Sequence, residues 1–410
     1  MKNKPYRLRC VFTLPLLLLL VFCGAALSDV LSPKTPETVI GDRTPGAAPV
    51  EGALADGKAL DGVFDEPAWI DFNVCRILYD GLTAREKEAY EALYEAVLAH
   101  RETVYIPMLS SQELGNVHAA LKYDNPQLPC ISDEFSYGSF GTLCYIKMRY
   151  GYTKAECDAL SEAMIAAARS ICAECADRGD YEKELYLHDA LVRLVNYADG
   201  GVNANTAAGA LVDRQAVCAG YALGMKLLCD ISGIDSCIIR GTAENETGAE
   251  AHAWIVIKIG DAWYHVDPTW DDPVNSSDKN QLTHAYFNIP TAWIEADHRD
   301  FTLPKGIACD ETADNYFVRS SLFCETDNWR IVVKEAAGER FHTLPFETEL
   351  RFADGALFDS AYSRLMDGEL NKVINELVRE NGLEIERWRV SVQMFRSMNC
   401  LRLIISEDEG

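Results

Sequence analysis

The stretch GALVDRQAVCAGYALGMKLLCDISGIDSCIIRGTAENETGAEAHAWIVIKIGDAWYHVDPTWDDP, residues 209–273, decides how this chain folds. Its second half holds two apolar runs, HAWIVIKI from His252 and AWYHVD ending at Asp267, with Gly260-Asp261 between them. Gly-Asp flanked by such runs predicts a hairpin closed by a two-residue loop. That loop sets Ile259 opposite Ala262, Trp254 opposite Asp267 and His252 opposite Thr269. Side chains alternate across a sheet, so His252 and Asp267 share a face as diagonal neighbours, roughly 7–8 Å apart at the backbone. A one-residue slip would put them on opposite faces.

The first half supplies a cysteine. In VCAGYALGMKLLC, Val217, Tyr221, Met225 and Leu228 recur at helical spacing behind a polar loop, which predicts a buried helix with Cys218 in its first turn. Unpaired N–H groups and the partial positive charge at a helix start favour a thiolate there, and a protonated imidazole favours it further. Cysteine, histidine and aspartate then have the makings of a nucleophile, its acid/base partner and the carboxylate that orients the ring. Singly, each is unremarkable: a cysteine on an apolar helix is ordinarily inert core, and a strand histidine ordinarily structural. The combination with DPTWDDP makes Cys218, His252 and Asp267 the candidate catalytic residues.

AVCAGYA, GAEAHAWIVIKIGDAWYHVDPTWDDP and the following HAYFNIP resemble bacterial transglutaminase-like domains of the papain-related cysteine-enzyme superfamily. The resemblance runs from about Tyr181 to Asp300, and Cys218, His252 and Asp267 fall on the family's Cys-His-Asp positions. It implies an α+β fold, a papain-like transglutaminase core in which a helix bearing the cysteine packs on an antiparallel sheet bearing the histidine and aspartate. It also implies acyl transfer through a thioester, with no metal and no cofactor, on a protein or peptide substrate. One departure is Ile255, where many relatives carry a polar residue, often asparagine. The family holds transamidases, peptidases, deamidases and inactive members, so the alternative to an enzyme is a non-catalytic cell-surface binding or scaffold protein that keeps the fold.

The 410 residues are enough for two or three domains, and the apolar and charged fractions are those of a globular protein. Residues 1–28 read as an export signal: Lys2, Lys4, Arg7 and Arg9 precede an apolar run from Val11 to Cys23, then GAALS. The run is short for a membrane span, which favours cleavage over an uncleaved anchor. The chain is therefore expected to be secreted or held at the cell surface, with cell-wall material among its partners and no membrane contact beyond the signal. The net charge is −25, and −29 once the leader's four basic residues leave. Such a surface repels nucleic acid and anionic membranes, and serves either solubility or basic partners.

Of 14 cysteines, those outside the leader and apart from Cys218 are odd in number, so a fully paired disulfide framework does not accompany a free Cys218. Cys172 and Cys175 lie three apart in an apparent helix with no second pair at metal-ligand spacing, and read as core or a disulfide. Residues 29–71, rich in Pro, Ala, Gly and Asp, read as a flexible tether. Residues 72–180 form a mainly helical accessory region, with one or two aromatic-rich strands in FSYGSFGTLCYIKMRYGY. Residues 181–304 are the catalytic domain. In it, YADGGVNANTAAGALVDRQ is a loop at the cleft rim and TAENETGAEA an acidic, mobile loop. Residues 314–406 form a small α+β domain of unknown role. NYFVRSSLFCE, WRIVVKEAAGE, HTLPFETELRFA and WRVSVQMFRSMNCLRLIIS read as its strands, and MDGELNKVINELVREN as its helix. His188, His265, His284 and His298 are expected to be structural and His118 structural or solvent-facing; His188 is taken as a satisfied, partly buried residue on a helix, with no partner carboxylate placed by a hairpin. Trp254, Trp263 and Trp270 either wall the cleft or fill the core beneath it.

Overall fold

In the computed structural model the described residues are 67–408, apart from 69, 133–134, 141, 246–247, 273–281 and 386. The expected export signal, and the tether up to residue 66, lie outside them.

The first helices begin where their caps dictate. In α1 (Ala84–Leu98) Thr83 accepts from the Glu86 backbone N–H while the Glu86 carboxylate accepts from that of Thr83. Ser110 and Glu113 repeat the arrangement for α2 (Ser111–Tyr123), and Thr153 and Glu156 for α3 (Lys154–Ala173). Each such box satisfies two otherwise orphaned N–H groups and fixes the chain's entry into the helix. Ala89, Tyr90, Leu93 and Val97 form the apolar stripe of α1 and pack on Val104, Ile106, Val117 and Ile146. The strands β1 (Thr103–Pro107), β2 (Ser136–Phe140) and β3 (Leu143–Lys147) form an antiparallel sheet in the order β1-β3-β2. The aromatic-rich segment thus supplies two strands. The third, β1, was not anticipated, because TVYIP is too short to show a period.

A disulfide joins Cys130 to Cys157 in the first turn of α3. Cys172 and Cys175 are not bonded to each other: both thiols are buried, and that of Cys172 donates to the Leu228 carbonyl. They are core.

Helix α4 (Asp180–Leu194) buries Tyr181, Glu184, Leu187, His188, Leu191 and Val192. The stretch expected as a plain loop then contains β4 (Asn196–Tyr197), a π-helical turn Gly209–Asp213, and β5 (Gln215–Ala216), which runs parallel to β4. Helix α5 (Cys218–Ser232) is buried from Cys218 through Asp230. Its start lies tight against the preceding chain: a Cβ on Gly220 would sit 2.3 Å from the Ala204 carbonyl oxygen and 2.7 Å from the Ala216 Cβ.

The central sheet holds β6 (Ser236–Asn245), β7 (Gly248–Ile259), β8 (Ala262–Val266) and β9 (His298–Arg299) in the order β8-β7-β6-β9. Gly260, at φ +59°, takes the turn. The register is the one expected: Ile259 faces Ala262, Val256 faces His265 and Ile255 faces Val266. Within TAENETGAEA, residues 242–245 and 248–251 are strand and not loop. Thr242 pairs with Ala251 and Asn245 with Gly248, so β6 and β7 run on through the polar residues. Ladder bonds join backbones, and an exposed hairpin needs no apolar side chains to continue.

Alternation along β7 sends its two faces into different cores. Ala253, Ile255, Ile257 and Ile259 pack with α3, α4 and α5. Trp254 and Val256 pack with Cys237, Ile239 and the C-terminal residues Phe317, Trp329, Leu350 and Leu403. The C-terminal segment therefore shares a hydrophobic cluster with the back of the central sheet. Its own sheet, in the order β10-β11-β13-β12, is built of β10 (Phe323–Cys324), β11 (Phe346–Phe352), β12 (Trp388–Phe395) and β13 (Cys400–Glu407). WRIVVKEAA, expected as a strand, is helix α6 (Trp329–Ala337). Trp329, Val332, Val333 and Ala337 are its buried positions, a helical spacing that the β-branched run had masked. NYFVR likewise forms a single helical turn, Tyr316–Arg319. Helix α7 (Gly355–Arg364), set off by the Asp354 cap, precedes the expected helix, α8 (Leu370–Glu380).

Candidate active site

Cys218 is the first residue of α5. The helix must begin there: Val217 is extended, and Cys218 to Asp230 are buried between the sheet and the flanking helices. The thiol hydrogen-bonds with the His252 imidazole and with the Ala253 backbone N–H, so the helix start abuts β7 at the histidine. His252 Nε2 donates to Asp267 Oδ2 at 2.7 Å, which leaves Nδ1 for the sulfur. Asp267 follows the last residue of β8, where the chain leaves the ladder and the Asp267 N–H turns to the Tyr286 carbonyl. Its Oδ1 accepts from the backbone N–H groups of Thr269 and Trp270 at 3.0 and 3.3 Å, which locks the carboxylate in one orientation. The structure thus brings the three candidate residues together, and the diagonal relation of His252 and Asp267 follows from the hairpin register.

All three are buried, Cys218 at 3 %, His252 at 7 % and Asp267 at 0 % exposure, and the charges are ordered accordingly. Burial alone would push the Cys218 thiol up. The His252 hydrogen bond and charge, with the Ala253 N–H, overcome it and bring the thiol below its ordinary 9.0. Burial pulls His252 down, but the Asp267 charge and hydrogen bond, then Cys218, lift it to about 10. Burial pushes Asp267 up, yet His252 and His298 hold it well below the usual carboxylate range. The arrangement favours thiolate beside imidazolium over two neutral groups.

Sequence reasoning missed part of the site. His298, expected to be merely structural, donates through Nε2 to Asp267 Oδ2 at 3.1 Å, and its Nδ1 lies 2.6 Å from Asp297 Oδ1. Asp267 therefore carries two imidazoles on one oxygen. The only signal was the Asp297-His298 pair, at the start of a strand, His298–Arg299, too short to place.

His188 is fully rather than partly buried, and two carboxylates flank it: Nδ1 is 3.2 Å from Asp189 Oδ1 and Nε2 3.2 Å from Asp271 Oδ2. His265 is supporting structure. Its Nδ1 accepts from Trp254 Nε1, so Nε2–H faces Thr291 Oγ1, and burial and the neighbouring His298 hold the ring neutral with a pKa near 3. His118 faces the Ser132 carbonyl. Trp254 is wholly buried core stacked beside His252 at 6.0 Å, Trp263 packs on the rear cluster, and Trp270 is the half-buried ring between site and surface, 5.9 Å from His252. Ile255 lies fully buried in the front core. No helix among the described residues is long and apolar enough to cross a membrane.

The profile of the transglutaminase-like superfamily matches residues 165–268, from α3 to the residue after Asp267. Similar solved structures include a TGase at 12 % identity and a TM-score of 0.25, with 37 % of this chain and 47 % of that one covered. Another, from Cytophaga hutchinsonii, is provisionally named a cysteine protease, at 15 % identity and a TM-score of 0.25, covering 46 % and 70 %. A third, from Parabacteroides distasonis and provisionally named a protease, has 9 % identity and a TM-score of 0.20, covering 33 % and 39 %. The chain spans about half the length of the first of these. No curated protein matches the sequence.

Proposed function

We propose, for a chain whose residues 165–268 form a transglutaminase-like domain, that it is an exported cysteine acyl-transfer enzyme acting on protein or peptide amides. In this reading Cys218 is the nucleophile, His252 the acid/base and Asp267 the orienting carboxylate. The observation that carries it is the state of Cys218. Among the ten free thiols of the described residues it alone is held below the ordinary value, and it is the one bonded to an imidazole whose other nitrogen rests on a buried carboxylate.

The cycle balances with these groups. The Cys218 thiolate attacks the carbonyl carbon of a carboxamide or peptide bond. The backbone N–H of Cys218, at a helix start with no side-chain cap from Val217, is the donor assigned to the oxyanion. His252 gives its proton to the nitrogen as the C–N bond breaks, leaving a thioester. Water or a primary amine then attacks; His252 takes the proton and the thiolate departs. Water gives hydrolysis or deamidation, and an amine gives transamidation. His298 bonds the same Asp267 oxygen as His252 and is a positioning residue.

Export is supported by the composition of residues 1–28 and by the Cys130–Cys157 disulfide, a bond at home in oxidising compartments. The test is incubation with glutamine-containing peptides and a primary amine, read by mass. An amine adduct, a one-dalton-scale gain or peptide fragments, each absent with Cys218→Ala, meets the expectation. Unchanged peptides, together with a Cys218 no more reactive than its neighbours, would return the chain to the binding or scaffold class.

A further inference from the structure

A second group of histidines and carboxylates is built on α4, where His188 and Asp189 meet His284. We propose that His188, Asp189 and His284 bind a divalent transition cation, with Zn²⁺ the best fit, as a structural clamp on the catalytic core. Asp189 Oδ1 lies 3.2 Å from His188 Nδ1 and 3.1 Å from His284 Nε2, and all three ligand atoms fall within 4.8 Å of one another. Tetrahedral bonds of about 2.0–2.1 Å to nitrogen and oxygen place ligand atoms roughly 3.3 Å apart, so two edges of such a site are already formed.

The outer contacts carry the argument further. A metal-bound imidazole holds its remaining N–H on a carboxylate or carbonyl, which fixes the ring and strengthens the ligand. Both rings do so. His188 Nε2 faces Asp271 Oδ2 at 3.2 Å, and neither atom has another partner among the described residues. His284 Nδ1 faces Glu349 Oε2 at 2.6 Å. These carboxylates are held in turn: Asp271 Oδ1 accepts from Thr283 Oγ1 and from the Tyr286 N–H, and Glu349 Oε1 from the His284 N–H. Arg193 engages Asp189 through Oδ2, leaving Oδ1 to the two rings. His188 is wholly buried, whereas the Asp189 side chain keeps 18 % exposure, an entry path and a place for water as fourth ligand. A metal requires both rings neutral, and with three carboxylates around them a dication offsets the charge of the ring protons it displaces.

The His252, Asp267 and His298 group is built differently. Its Asp267 Oδ1 is taken by two backbone N–H groups, the free nitrogen of His252 by Cys218, and the carboxylate has no exposure. That group is a proton network. The proposed clamp would tie α4 to the segment after β8 and to β11. Through Asp271, whose N–H bonds to the Asp267 carbonyl, it reaches the turn that carries the catalytic aspartate.

The full chain carrying Cys218→Ala, stripped with a chelator, would be titrated with zinc chloride by calorimetry, with metal content and Tm read in parallel. The expected result is about one zinc per chain at micromolar or tighter Kd and a Tm raised by several degrees at saturation. Asp189→Asn and His284→Gln should abolish both, and His252→Gln should abolish neither. Should the first two variants fail to fold, the spectrum of the cobalt-loaded parent decides. Visible d–d bands without a thiolate charge-transfer band are expected. A thiolate band, no binding at about a hundredfold the expected Kd, or binding that survives both ligand variants would overturn the proposal.

Discussion

Asp267→Asn tests the charge order proposed for the site. Asparagine keeps the side-chain shape and the oxygen that the Thr269 and Trp270 N–H groups reach, but it removes the anion that lifts His252 to about 10. Without it, burial pulls the imidazole down, and the thiol loses the partner that brings it below 9.0. A thiol at that ordinary value is about 0.1 % ionised at pH 6, so a fully formed thiolate has a reactive fraction roughly a thousandfold larger. The lower basicity of such a sulfur takes back about half of that on a logarithmic scale, leaving an advantage on the order of 30-fold. Steric access is poor at 3 % exposure, but it is common to both proteins and cancels in the ratio. The other nine free thiols of the described residues are all pushed up by burial and stay silent at this pH. The assay is iodoacetamide labelling from pH 5 to 9, with the Cys218 peptide followed by mass spectrometry. Wild type should climb by clearly less than tenfold per unit between pH 6 and 8, since its thiol lies below the ordinary 9.0. The variant should start on the order of 30-fold lower at pH 6 and climb about tenfold per unit. A wild-type rate that itself climbs tenfold per unit, or a variant that equals wild type at pH 6, would refute the reasoning.

Gly220→Ala should destabilise by about 1–3 kcal/mol or more and remove acyl-transfer activity, because the added carbon meets a backbone oxygen 2.3 Å away that cannot rotate aside. Gly115→Ala in α2, with nothing within 4 Å, should instead raise stability by up to ~1 kcal/mol; urea midpoints compare the two. Lys226, wholly buried on α5, donates to the Cys75 carbonyl at 2.8 Å and to Asp230 at 3.0 Å, so Lys226→Met strands a buried carboxylate and should cost about 3–5 kcal/mol. Adding Asp230→Leu should recover more than half of that loss, and additive losses in the double variant would count against a paired charge. Stability should also fall as pH rises from 5.5 to 9. Burial raises Asp230 to about 6, Asp124 to about 7 and Glu184 to about 8, so the folded chain holds protons that the unfolded chain has released. Their stabilisation is complete below the ordinary carboxylate values and is lost as pH passes through the raised ones. A Tm that climbs over that range would reject this account.

The parts of the fold that were legible in sequence are those whose determinants are local. The mainly helical character of residues 72–180 was legible because apolar positions such as Tyr90, Leu93 and Val97 recur at helical spacing within one helix. The hairpin register followed from one Gly-Asp pair between two apolar runs, and with it the bond from His252 to Asp267. Helix α6 was misread for the opposite reason: Ile331, Val332 and Val333 satisfy a strand pattern locally, and only packing of Trp329, Val333 and Ala337 against the rear core selects the helix. The pairing of Cys130 with Cys157 was likewise invisible, since spacing alone does not choose among many thiols.

The same division runs through the site. Asp267 receives His252 across 15 residues of hairpin, which a period of two can encode, but it receives His298 across 31 residues that pass through the loop after β8. His284 meets Asp189 at a separation of 95 and Glu349 at 65. No periodicity links such positions; they converge because the C-terminal sheet shares a hydrophobic cluster with the back of β7 and brings Glu349 of β11 to His284. Four of the chain's eight histidines end on carboxylates in this way, His188, His252, His284 and His298. A buried carboxylate is costly unless a cationic or hydrogen-bonding partner reaches it, so each of these acids constrains where its histidine must lie. The segment beyond residue 314 carries no catalytic motif, yet through Glu349 and the rear cluster it holds the histidines, and behind them the DPTWDD turn, in place. That coupling makes the C-terminal sheet part of the candidate site's support, since loosening it releases His284 and Asp271 before it reaches the thiol.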